Sequence, residues 1–289
     1  MAVYTGPYIG PNMGPDMKTS LIITTYNWKE ALELVFRSLA RQSEFPDEIL
    51  IADDGSRPDT AALVAEWAKK LPVPVRHIWQ EDIGFRLSRS RNRAIAASSG
   101  EYIIIIDGDM ILHRDFITDH KRAARTGYFI QGVRLLTEPE MGKRILEEGI
   151  LDLGFFAPHV KRRRHTVKNR FLSWLVFQRK HTNQKAIRGS NQAYWKKDLL
   201  MVNGFDERMT GWGREDNEIA QRMYNCGIKR RNLKFAALTI HIFHRQRKPE
   251  GENPNDKYLR DTITNGIKRC VQGIDQHLDE SGLKQDATN

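Results

Sequence analysis

Apolar residues fall along this chain in two alternating rhythms. Leu21–Thr25, Glu48–Ala52, Val73–Trp79 and Tyr102–Asp107 are short runs rich in β-branched residues, bounded by polar punctuation, and they read as strands. Between them lie helical patterns. Trp28–Arg41 carries Leu32, Val35, Phe36 and Leu39 at helical spacing, Pro58–Lys70 starts with a proline suited to a first turn, and Ser88–Ser99 is closed by Gly100. The consecutive isoleucines Ile103–Ile106 predict a strand buried on both faces, because a half-exposed strand would alternate with polar residues. This order implies an α/β fold with a mostly parallel central sheet flanked by helices.

The predicted strands end in polar clusters: Thr24-Thr25-Tyr26-Asn27, Asp53-Asp54-Gly55-Ser56 and Asp107-Gly108-Asp109. Turn and cap chemistry explains any one of these. All three together mark the carboxyl edge of an open parallel sheet, where ligands bind. Gly108 is expected to let the backbone bend and approach a ligand. Two acids mounted behind a buried strand suit a divalent cation shared with a diphosphate.

Composition bounds the picture without choosing a substrate. The 289 residues, 40% apolar, suffice for one large α/β domain or two small ones. Lys and Arg exceed Asp and Glu by 46 − 36 = 10, which favours polyanionic partners. Cys226 and Cys270 have neither a disulfide framework nor zinc spacing, so a reducing compartment is expected. No apolar run approaches the roughly 18 residues of a membrane span, and no signal-peptide order opens the chain, so a cytoplasmic location is expected. Gly6-Pro7, Gly10-Pro11 and Gly14-Pro15 make residues 1–16 a flexible leader, with Met17 an alternative start.

In order and interval, TTYN, DDGS, SRSRN and DGD resemble the nucleotide-binding half of family 2 glycosyltransferases of the GT-A fold. The resemblance implies that Thr24, Tyr26 and Asp54 cradle uracil, that Arg91 lies near the diphosphate, and that Asp107 faces the ribose and Asp109 the metal. Further on stand Arg188-Gly-Ser-Asn-Gln-Ala-Tyr-Trp195, Asn203-Gly-Phe-Asp206 and Gly211-Trp-Gly-Arg-Glu-Asp216. These are similar to the C-terminal region of β-1,4-galactosyltransferases and of chondroitin-polymerase-like enzymes. By that likeness Asp216 is the catalytic base, Glu215 an acceptor contact and Trp212 an apolar face for a sugar ring. The bland reading of Glu215 and Asp216, as acids favouring the first turn of a helix to Asn225, holds beside it.

In Thr239-Ile-His241-Ile-Phe-His244, residues three apart on a strand point to opposite faces, so only one histidine is expected to reach a metal. The resemblance selects His244 and leaves His241 structural. Imidazole with carboxylate suits Mn²⁺, with Mg²⁺ the alternative. The implied organisation is a Rossmann-like nucleotide-sugar half (17–135), an acceptor half (136–254) in the same GT-A domain, and a C-terminal helix with polar tail (255–289). The implied reaction is inverting transfer of a hexose or N-acetylhexosamine from a UDP-sugar to a saccharide or lipid-linked acceptor, in bacterial surface polysaccharide or lipooligosaccharide synthesis.

Three other readings fit less well. A haloacid-dehalogenase-type phosphatase also uses Asp-x-Asp, but there the motif closes with Thr or Val, whereas Met110-Ile-Leu follows here. A sugar nucleotidyltransferase would carry a glycine-rich loop after the first strand. A polyanion or glycan binder, nucleic acid included, accounts for the charge but not for the motifs. One segment stands apart: Phe171–Phe177 is apolar but for Ser173 and is flanked by Lys161, Arg162, Arg163, Arg164, Lys168, Arg170, Arg179 and Lys180. It reads either as a wedge for an anionic membrane surface, on the inner face of the membrane, or as a helix packed into the domain, since its apolar residues spread around the wheel.

Overall fold

The computed structural model describes residues 17–245 and 251–278; the leader at 1–16 and the tail beyond 278 lie outside the described residues. The chain opens as a strict alternation: β1 (Thr19–Thr25), α1 (Lys29–Leu39), β2 (Glu48–Asp53), α2 (Pro58–Ala68), β3 (Val75–Trp79), α3 (Leu87–Ala97) and β4 (Tyr102–Asp107). The helices stop short of their expected ends. The third ends at Ala97 with Ser98 extended, so Gly100 is not its cap.

After β4 come β5 (Met110–Leu112), α4 (Phe116–Ala123), β6 (Tyr128–Gln131), β7 (Leu135–Thr137), α5 (Pro139–Glu148), β8 (Val160–Lys161), a 3₁₀ turn at Arg163–Thr166, α6 (Arg170–Phe177) and β9 (Lys180–His181). The described chain finishes with β10 (Asn191–Trp195), α7 (Lys196–Val202), α8 (Glu215–Asn225), β11 (Lys229–Asn232), β12 (Thr239–His241) and α9 (Asp256–Thr264), then a 3₁₀ turn at Ile274–His277.

Among the described residues eight strands form the central sheet in the order β3-β2-β1-β4-β10-β6-β11-β9, and β5-β12-β7-β8 form a second, smaller sheet. Strands β1 to β4 are parallel, whereas β10 runs antiparallel between β4 and β6. Burial explains the four isoleucines. Ile104 and Ile106 pack with Leu32, Phe36 and Trp67 under one face, and Ile103 and Ile105 pack with Ile95, Leu199 and Ile219 on the other. Each such side chain removed from water contributes about 1.5–3 kcal/mol, which makes β4 a rigid mount for whatever its end carries.

Register then assembles the edge. Thr24 pairs with both Ala52 and Asp107, and Thr25 with Asp53, so three polar clusters line up across adjacent strand ends. Antiparallel β10 starts opposite the end of β4, Asn191 facing Ile106, which brings the Arg188-Gly189 turn to Asp107. In the second sheet His241 pairs with Met110, which brings β12 to Asp109.

Helix α6 is held at its start by Asn169, whose side chain accepts from the Leu172 amide, and it buries only Ser173 and Phe177. Phe171, Leu172 and Leu175 remain 63%, 39% and 45% exposed. The expectation that its apolar residues pack into the domain is therefore met only by Phe177. Among the described residues no helix is long and apolar enough to cross a membrane.

Candidate active site

The strand ends deliver two groups of side chains on either side of Asp107-Gly108-Asp109. Gly108 serves a closer need than ligand approach. A Cβ there would stand 2.5 Å from the Thr24 carbonyl, so glycine is required for β1 and β4 to end side by side.

The first group centres on Asp109. Its Oδ2 lies 3.3 Å from His241 Nε2 and 3.1 Å from His244 Nε2, and its Oδ1 is buried without a hydrogen-bond partner. The three ligand atoms lie within 4.8 Å of one another. This corrects the expectation for His241. Strand β12 ends at His241, and from Ile242 the chain is no longer a strand, so alternation ceases to separate the two imidazoles. Trp28, just before α1, packs edge-on at 5.7 Å against His244. Burial would raise the Asp109 carboxyl, but His241, His244 and Arg134 outweigh it and hold it below its ordinary value. Burial lowers His241, whereas the hydrogen bond to Asp109 raises His244. A lone carboxylate oxygen between two imidazoles is a donor set that fits a borderline divalent ion.

The second group centres on Arg91. It was expected beside a diphosphate, but the structure buries it to 1% exposure among acids. Its Nη1 lies 3.0 Å from Asp216 Oδ1 and 3.6 Å from Glu215 Oε1, and its Nη2 lies 3.4 Å from Asp107 Oδ1. Burial opposes the charge, and the acids restore it, leaving the guanidinium held above its ordinary value. Asp216 Oδ2 also accepts from the Gly189 amide at 2.6 Å, and a Cβ at Gly189 would stand 2.2 Å from Asp216 Oδ1. Burial and then the Asp216 charge push Glu215 up to about 8, and its Oε2 has no hydrogen-bond partner. Burial raises Asp216 too, against the opposing pull of Arg91 and the Gly189 amide.

The remaining predicted residues spread outward from these groups. Thr24 Oγ1 donates to Asp107 Oδ1 at 3.2 Å. Asp54 is buried and occupied: Gln80 Nε2 donates at 2.6 Å and the Arg86 amide at 2.8 Å, so it shapes the 80–86 loop. Tyr26 is exposed, its hydroxyl donating to Asp82 at 2.9 Å. Trp212 is also exposed, on a loop where Gly211, Gly213 and Arg214 all take positive φ, and Asn253 donates to its carbonyl. Sequence reasoning did not find His241, the Gly189 amide or the Gln80–Asp54 contact. For Gly189 the Arg188-Gly-Ser-Asn191 run that contains it is visible in the sequence, but not that its amide serves α8.

Residues 20–188 match the family described as "Glycosyl transferase family 2", and residues 175–245 match "N-terminal domain of galactosyltransferase". The chain is 27% identical over 268 residues to a chondroitin synthase of Escherichia coli, covering 85% of this chain and 37% of that protein. It likewise spans only about a quarter of two Pasteurella multocida synthases, 26% of each. Among solved structures the fold is similar to S. aureus TarS 1–349 in complex with UDP (TM-score 0.54, 17% identity, 90% of this chain and 68% of that one). It is also similar to GalNAc-T7 with UDP, GalNAc and Mn²⁺ (TM-score 0.61, 14% identity, 86% of this chain and 48% of that one).

The raised Glu215 acid makes a pH prediction. Its folded value lies above its unfolded one, so its contribution to stability is complete below about 4.5 and is lost as pH rises to about 8. Glu215→Gln should therefore raise the melting temperature relative to wild type at pH 8 and hardly at all at pH 5. Thermal denaturation across that window checks it; an equal difference at both values would contradict the assignment.

Proposed function

The chain belongs to glycosyl transferase family 2, and from that premise we propose that it is a metal-dependent hexosyltransferase. It moves a hexose or N-acetylhexosamine from a UDP-sugar to a saccharide acceptor with inversion, in the assembly of a surface polysaccharide or lipooligosaccharide. The observation that carries this reading is the placing of a two-histidine, one-carboxylate cluster and an arginine-bound carboxylate pair at the two ends of one Asp-Gly-Asp turn. The UDP and Mn²⁺ bound to structures of similar fold agree with it.

Asp109, His241 and His244 would hold the ion, Mn²⁺ in preference to Mg²⁺ because two of the three donors are imidazoles. When bound, it supplies neutralisation of the charge that grows on the leaving diphosphate. Thr24, Tyr26 and Asp54 serve the uridine end, Asp54 through the loop it holds, while Asp107 faces the ribose. Asp216 takes the proton from the acceptor hydroxyl. Arg91 and the Gly189 amide fix the orientation of its carboxylate, so Arg91 is a positioning residue here. Glu215, neutral at neutral pH, is poised to donate a hydrogen bond to the acceptor, and the Trp212 face is free for a sugar ring.

Contact with an anionic membrane surface on its cytoplasmic face is part of the same proposal, and it would bring a lipid-linked acceptor within reach. Its support is the exposed Phe171, Leu172 and Leu175 on α6 beside the basic run 161–164. An apolar wedge of this kind gains about 1 kcal/mol from each basic residue near an anionic surface.

Asp109→Ala, His241→Ala and His244→Ala should each weaken Mn²⁺-linked UDP binding by at least about tenfold in calorimetry, with unchanged circular dichroism. An unaltered affinity in His241→Ala alone would return that residue to a structural role. Asp216→Asn should lower transfer by roughly 10²- to 10⁴-fold while UDP affinity hardly moves, and near-normal turnover would shift the base to another residue. For the membrane, wild type should float with anionic but not neutral vesicles, and Phe171→Asn with Leu175→Asn should abolish this. Equal recovery with both vesicles would remove the idea.

A further inference from the structure

Three arginines beside the proposed site pair with no acid among the described residues. Arg134 immediately precedes β7, where Thr239 of the neighbouring β12 donates to the Val133 carbonyl at 3.0 Å. Arg134 is close enough to Asp109 and His241 to bear on both electrostatically. Strand β8 runs antiparallel along β7 with Lys161 opposite Leu136, so Arg162 emerges beside Arg134. His165 in the following 3₁₀ turn closes over it, its Nδ1 2.7 Å from the Arg134 carbonyl. Arg188 reaches the same place from the turn before β10. Its backbone is clamped by Gln131, which accepts from its amide at 3.0 Å and donates to its carbonyl at 2.9 Å.

The three side chains repel one another. Burial first, and then the charge of Arg134 and of neighbouring arginines, lowers both Arg162 and Arg188. None of the three forms an ion pair with a carboxylate among the described residues, and the Arg134 Nε is buried without an acceptor. Elsewhere in this site a buried guanidinium is matched three to one by acids, as at Arg91. Arg162 moreover takes a left-handed conformation, φ 61°, which a side chain other than glycine adopts at a cost. Converging guanidinium groups of like charge repel one another, and an oxyanion placed among them relieves that repulsion, supplies the acceptor that Arg134 Nε lacks, and can take two parallel bonds from each planar fork.

We propose that Arg134, Arg162 and Arg188 form an anion subsite that holds a phosphate or carboxylate group of the saccharide acceptor. The position favours the acceptor. Arg188 stands on the turn whose next residue, Gly189, holds Asp216, and Arg162 directly follows β8, a strand of the second sheet and not of the one whose ends are assigned to the uridine. The cluster adjoins both groups, Arg134 near enough to act on Asp109 and Arg188 next to the Gly189 amide that holds Asp216, where the acceptor hydroxyl would arrive with its neighbouring substituents. The inference rests on the glycosyltransferase reading only in naming the source of the anion. The alternative source is the diphosphate of the donor.

Sulfate, a tetrahedral oxyanion that needs no turnover to be observed, is the probe. It is titrated by calorimetry or NMR into the protein alone and into protein saturated with UDP and Mn²⁺. The same is done for Arg162→Gln/Arg188→Gln, whose side chains are exposed enough to change without unfolding the domain, and for the triple variant with Arg134→Gln. Sulfate should bind the UDP-loaded wild type, and the double variant should lose at least about tenfold in affinity with UDP binding unchanged. Displacement of sulfate by UDP in proportion to occupancy would assign the arginines to the donor diphosphate and overturn the proposal. Equal sulfate binding in wild type and variants would do the same, leaving no subsite here. Should UDP itself fail to bind, the transferase reading falls. The titrations of protein alone then still decide whether these arginines bind an oxyanion, and equal affinity there overturns the subsite.

Discussion

The buried guanidinium of Arg91 is the interaction on which the site depends. It draws Asp107 from the end of β4 and Glu215 and Asp216 from the start of α8 to one point, although more than a hundred residues separate them in the chain. Removing one partner of such a cluster typically costs about 3–5 kcal/mol, because it leaves charge in a place that water does not reach. Its neighbour on α3 reinforces the junction. The Asn92 side chain donates to the Phe205 carbonyl at 2.7 Å and accepts from the Phe205 amide at 2.8 Å, and Phe205 in turn lies under Arg91. The SRSRN helix therefore acts as a rivet between the nucleotide-side strands and the turn that leads into α8.

That role was not legible in the sequence, and the reason is physical. An arginine in a helix rich in arginines gives no sign of which one is buried; burial is settled by which face of α3 lies on β1, β2 and the 3₁₀ turn at Ile274–His277. What could be read was whatever depends on local pattern. The four isoleucines marked β4 because burial on both faces leaves no polar alternation, and the three clusters marked the sheet edge because parallel strands put all their ends together. His241 shows where pattern stops. The alternation rule holds inside a strand, and β12 ends at that residue, so both rings turn to Asp109. Asp54 shows the converse. The residue sits at the expected strand end, but its carboxylate is consumed by Gln80 and Arg86, a contact between positions about thirty residues apart that no local signal encodes.

The second sheet explains why the metal-type cluster and the carboxylate pair remain separate. Only three residues of β5 follow the Asp-Gly-Asp turn before the chain leaves for α4, and β12 lies along them rather than in the central sheet. Asp109 is thereby tied to the small sheet, and Asp107 to the large one. Two acids one residue apart thus enter different electrostatic environments, one between imidazoles and one against a guanidinium.

The same logic divides labour between the adjacent acids of α8. Both are buried near one another, and burial raises both. They differ in what stabilises their ionised forms. Asp216 receives a backbone amide and lies 3.0 Å from Arg91 Nη1, whereas Glu215 lies 3.6 Å from the same nitrogen and has an oxygen with no hydrogen-bond partner. When a single negative charge is shared between them it resides on Asp216, and the proton resides on Glu215. A carboxylate charged yet partly desolvated is a stronger base than one in water, and a neutral acid beside it can donate to the same acceptor without competing for the proton. Two adjacent side chains of like chemistry at the start of α8 thus differ in charge state because they differ by a few tenths of an ångström in their distance to Arg91 and by one backbone amide, which is the asymmetry the proposed roles of base and donor require.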